Sequence, residues 1–105
     1  MDLDILRQMH ARAVSSLASF KGSSVASDRE RMTSPSKFDI LGGYLRDIGR
    51  ALSGEISVTD LHFVDDACDM RGLYWDTPAT LLERQALDDS AALFLRLRDE
   101  LANRR

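Results

Sequence analysis

Apolar residues fall at Leu6, Met9, Ala13, Leu17 and Phe20, at spacings of three and four. That period puts them on one face of a helix and predicts helix one over residues 3 to 20. Asp2 or Asp4 suits its start, where a carboxylate meets free amide groups and the positive end of the helix dipole. Lys21 followed by Gly22 suits its stop. Residues 22 to 36 are polar and serine-rich, without periodic apolar positions, and read as a flexible linker. A sharper alternative is that this stretch orders on a partner, with Val25 and Met32 as anchors.

A second stripe, Phe38, Leu41, Tyr44, Leu45, Ile48 and Leu52, predicts helix two over 37 to 53, with Ser36 as cap and Asp39 in its first turn. Gly54 stands just past its end, where a flexible residue is favoured. Gly42, Gly43 and Gly49 lie inside it, each costing about 1 kcal/mol relative to Ala. Gly42 and Gly49 are seven apart and nearly superposed along the helix, so a shallow groove that admits a neighbouring helix is one reading. A bend at the Gly42-Gly43 pair is the other.

Ser57 with Asp60 repeats the capping pattern and predicts helix three over 58 to 72, with Leu61, Phe63, Val64, Ala67, Cys68 and Met70 on its apolar side. A connector follows, and Asp76 or Thr77 is expected to cap helix four, over 78 to 103, with Pro78 in its first turn. Leu82, Ala86, Leu93, Leu97 and Leu101 are its expected inner stripe. Leu87, Ala91, Phe94 and Leu95 widen the apolar surface past half the circumference, and Asp88-Asp89-Ser90 leaves open a kink or split near residue 89. No strand pattern and no repeat is visible. The expectation is an all-α fold, one domain over 1 to 105, built as a small bundle of about four helices.

Composition narrows the function classes. Apolar residues make up 44% and charged ones 30% of 105 residues, enough for a small core. A chain this short buries a modest share of its surface, so association is plausible. The net charge of −3 and the lack of a basic run argue against nucleic acid as the main ligand. Residues 55 to 76 hold six acidic and one basic side chain, a local field that could steer a basic partner or simply solvate a helix face. A single cysteine, Cys68, excludes an intrachain disulfide. Met-Asp-Leu-Asp at the start is unlike a secretory signal, and no run reaches the ~18 apolar residues of a membrane span. A cytoplasmic location, without a membrane, is expected.

The candidate chemistry is thin. His62, Asp65, Asp66 and Asp69 share a helical face and resemble a partial site for a hard cation, but no second element supplies further ligands, and a solvated, metal-free acidic band is the expected reading. His10 sits at the border of the first stripe without a nucleophile or orienting acid implied beside it. Cys68 faces the expected core, where a thiol is inert. Neither a phosphate-binding loop nor a nucleophile elbow is present. Leu73, Tyr74 and Trp75 are consecutive and cannot all face one core, which makes them interface candidates.

These readings favour a small regulatory protein of antiactivator or inhibitor type, which blocks a partner protein through helical apolar surfaces without catalysis or cofactor. An assembly or secretion chaperone is the alternative, and a metal-dependent enzyme built on the His62/Asp65/Asp66/Asp69 face the second. The expected interface comprises Leu73, Tyr74, Trp75, Leu87, Ala91, Phe94, Leu95, Gly42 and Gly49. Outward-facing Leu87, Ala91, Phe94 and Leu95 predict a homodimer through helix four with help from helix two, which Leu95→Glu would weaken.

Overall fold

The computed structural model describes residues 3–22, 37–61, 64 and 80–103. Among them it contains three α-helices, α1 (Leu3–Lys21), α2 (Lys37–Leu52) and α3 (Leu81–Ala102), a 3-10 turn at Val58–Asp60, and no strand. The all-α class holds. The third expected helix, over 58 to 72, is represented among the described residues only by that turn and by Val64, since residues 62–63 and 65–79 lie outside them.

Helices α1 and α2 follow their sequence stripes. Leu6, Ala13, Leu17 and Phe20 are buried on α1, with Met9 packed against them. On α2, Phe38, Leu41, Leu45, Ile48 and Leu52 are buried and Tyr44 is packed against the same core. The two helices run antiparallel, because Phe20 stacks on Phe38 with centroids 4.5 Å apart while, at the other end, Arg7 Nη2 donates to the Leu52 carbonyl at 3.2 Å. That arginine also places a cation at the negative end of the α2 dipole.

The end of α2 is closed by its own backbone. Gly54 adopts φ 85°, its N–H donates to the Ala51 carbonyl at 3.2 Å, and the Glu55 N–H donates to the Arg50 carbonyl at 2.9 Å. This pair of bonds is a Schellman motif, and the left-handed residue it needs is the glycine expected there. An Arg50 to Glu55 ion pair at 3.4 Å spans the motif where an apolar contact is more usual.

Helix α3 departs from the sequence reading in three respects and resolves one point that reading left open, its continuity near residue 89. Its N-cap is Thr80, whose Oγ1 accepts from the Glu83 N–H at 3.2 Å, in place of Asp76 or Thr77, which lie outside the described residues with Pro78. It is continuous through Asp88, Asp89 and Ser90, with no split. Leu82, expected inside, is exposed. Leu87, Ala91 and Phe94, expected outside, are buried at 0%, 8% and 0% exposure, which leaves Leu95 alone of that group at the surface.

The reason lies in the arc that α3 buries. At 100° per residue the buried set from Leu93 to Ala91 spans about 160°, centred on Glu83, Phe94 and Leu101. Its main neighbour among the described helices is α1. Helix α1 lies along it, with a short Ser16 to Asp89 hydrogen bond between them, and α2 adds Tyr44, whose ring meets Phe94 edge-on at 6.2 Å. Leu61 and Val64 join the same buried cluster. Leu87, Ala91 and Phe94 thus face the inside of the chain, and of the four residues expected to face outward on this helix only Leu95 is exposed.

Candidate functional site

With α3 accounted for, the notable surface is the seam between α1 and α2. Gly42 and Gly49 do admit a neighbouring helix, and that helix is α1 of the same chain. A Cβ built on Gly42 would lie 3.8 Å from Leu17 Cδ2, an ordinary contact. One built on Gly49 would lie 3.0 Å from His10 Cε1 and 3.1 Å from His10 Nε2, closer than real Cβ atoms comfortably approach a ring. The alternative of a helix broken at Gly42-Gly43 does not occur, since α2 is continuous from Lys37 to Leu52.

His10 owes its place to that glycine. The half-buried imidazole lies across the α2 backbone at Gly49, with Nε2 2.7 Å from the Leu45 carbonyl oxygen. A carbonyl only accepts, so Nε2 carries the proton and donates it. The histidine that sequence treats as a boundary residue is therefore a cross-helix tie.

Beside this tie the seam opens into a hollow of about 350 Å³. Its floor is Gly42, Leu17, Leu45 and Gly49, and Val14 and Ala18 form one wall. Val14 is 42% exposed, a high value for a valine flanking a buried stripe. A second hollow of about 250 Å³, bounded by Arg7, Leu52 and Ser53, shares His10 and Gly49 with the first. The two form one trough along the seam. On the helical wheel Val14 is about 160° from Ser16, the α1 residue that meets α3, so the trough opens away from α3.

Among the described residues, the charged side chains bordering the trough are Arg7, Lys21 and Arg46, with His10 between them, and no described Asp or Glu lines either hollow. Lys21 pairs with Asp39 at 3.2 Å and Arg46 with Asp47 at 3.8 Å, both at exposed positions, and Arg7 pairs with Asp4 at 3.6 Å. The trough thus has an apolar floor and a cationic border.

Of the other expected site residues, Leu73, Tyr74 and Trp75 lie outside the described residues, as do His62, Asp65, Asp66, Asp69 and Cys68. Among the described residues no group of three or more His, Cys, Asp or Glu side chains converges as a metal site would require. None of the described helices is long and apolar enough to cross a membrane. What the sequence reading missed is Val14 and Ala18 as one wall of a site and His10 as its tie. The available signal was a valine and an alanine next to the α1 stripe on the side facing two glycines of α2.

No protein-family model, curated protein or solved structure matches this chain, so the trough is interpreted from its own chemistry.

Proposed function

We infer that this chain is a small non-catalytic binding protein that receives an apolar segment of another protein in the α1–α2 trough, and that it acts as an antiactivator or inhibitor by masking that segment. The observation that carries the reading is the pairing of an exposed valine wall with a floor at Gly42, where the missing side chain lets a ligand approach the α2 backbone. Grooves between helices recognise partner segments by burying side chains spaced along one face. An aliphatic floor of this kind favours that mode over catalysis, for which a nucleophile, base and orienting group would have to converge.

The test is co-purification from the cells that make the protein, comparing wild type, Val14→Glu and Leu95→Glu. Both substituted positions are exposed, so both variants should keep the helical circular dichroism of wild type. A stoichiometric partner retained by wild type and Leu95→Glu and lost by Val14→Glu supports the trough. Retention by Val14→Glu, or a wild type that carries no partner, overturns it.

A further inference from the structure

We propose that the segment received by the trough is an amphipathic α-helix of about four turns whose apolar stripe is flanked by carboxylates. This deepens the reading of the trough as a partner-binding groove and rests on it. From Arg7 to Lys21 the α1 wall is about 21 Å long at 1.5 Å per residue, the length of roughly four helical turns.

A helix fits better than an extended strand because of backbone accounting. Both walls are α-helices whose N–H and C=O groups are bonded internally, and the Leu45 carbonyl accepts from His10 besides. An extended segment laid on this floor would bury its own N–H and C=O groups without partners, at a cost comparable to lost hydrogen bonds. A helix satisfies those groups within itself and presents only side chains.

The carboxylates follow from the border. Arg7 and Lys21 stand toward opposite ends of the α1 wall, and Arg46 flanks the floor from α2. The acids now beside them, Asp4, Asp39 and Asp47, form exposed pairs of the kind that hold weakly, so an arriving carboxylate can join these cations without displacing a buried partner. A lysine-flanked helix would bring like charge to the same places, which is the usual means of excluding a wrong partner. The whole chain carries −3, so the preference is local to the trough and weakens as salt rises.

Three fluorescein-labelled synthetic helices test this against the full-length protein by anisotropy. One carries leucines at i, i+3, i+4 and i+7 flanked by glutamates, the second the same stripe flanked by lysines, and the third a scrambled stripe with glutamates. Each exposed ion pair is worth a factor of about 1.4 to 5, so the three border cations together should make the glutamate helix bind at least about threefold tighter than the lysine helix. That ratio should fall by a factor of about 2 or more in Lys21→Gln/Arg46→Gln, and the scrambled peptide should not compete. Equal binding of the first two helices, abolished by Val14→Glu, would refute the charge preference and leave the trough as a groove. If none of the helices binds, the groove reading fails with it. If light scattering finds a wild-type dimer that Val14→Glu splits, the trough belongs to a second copy and the proposal falls.

Discussion

Alanine at the three glycines of α2 should affect stability in opposite directions, and the contrast tests the His10 tie. Each replacement recovers about 1 kcal/mol of helix propensity. At Gly43 nothing lies within 4 Å of the new methyl, so Gly43→Ala should show the full gain. At Gly42 the methyl would sit 3.8 Å from Leu17, and Gly42→Ala should gain at least as much. At Gly49 the methyl meets the His10 ring at 3.0 and 3.1 Å. The ring must retreat, and its 2.7 Å bond to the Leu45 carbonyl, worth about 1 kcal/mol, is strained or lost together with its packing.

Gly49→Ala should therefore fall about 1 to 2 kcal/mol below Gly43→Ala and end near or below wild type. Urea unfolding followed by circular dichroism measures all three. The decisive comparison is a double-mutant cycle: in a His10→Ala background the obstruction is gone, and Gly49→Ala should stabilise by about 1 kcal/mol. If Gly49→Ala stabilises the wild type as much as Gly43→Ala does, or if its penalty persists without His10, the tie is not what requires glycine at this position.

Ser90 is fully buried and its hydroxyl has no hydrogen-bond partner among the described residues, so Ser90→Ala should raise the thermal midpoint by removing an unsatisfied group worth about 1 to 3 kcal/mol; a lower midpoint would expose a missed partner. Thr80→Ala removes the α3 cap and should cost about 1 kcal/mol in urea unfolding, with Thr80→Ser near wild type. Phe94→Ala opens the core and removes the ring contact with Tyr44, for about 3 to 5 kcal/mol, whereas Leu95→Glu should stay within about 0.5 kcal/mol and leave the light-scattering mass unchanged. A mass change with Leu95→Glu would restore α3 as an association surface.

Helices α1 and α2 were legible in the sequence because each buries a narrow stripe uninterrupted by polar residues. Helix α3 was legible as a helix but not in its facing. Glu83 and Ser90 lie near the centre of its buried arc, and both are fully buried. Read as surface residues, they split one broad face into two and moved the apparent core toward Leu82, Ala86 and Leu93. The start of the helix was missed for a different reason. Thr80-Leu-Leu-Glu83 has the threonine and glutamate spacing of a capping box, a signal available in the sequence but outweighed by the proline at position 78.

The glycine groove was legible as a place of close approach, but its occupant was not. Nothing in a linear pattern sets residue 10 of one helix against residue 49 of another. That match follows from the antiparallel register held by Phe20 on Phe38 at one end and Arg7 on the α2 terminus at the other.

Consumption of the α3 surplus moves the search for a partner surface to a different part of the molecule. A single helix with apolar residues over half its circumference suggests a dimer, yet α3 buries its broad arc inside the chain, chiefly along α1. The exposed large apolar side chains on α3, Leu81, Leu82 and Leu95, are spread over about 140° of its circumference. Along α1, by contrast, Val14 and Ala18 lie on the side of the helix away from α3, next to two glycines that give up helix propensity. Gly49 has a structural reason to be glycine, the ring of His10, whereas Gly42 has room for a methyl and none is present. The bare backbone at Gly42 beneath the exposed valine wall is what docking of another chain, as proposed above, would use.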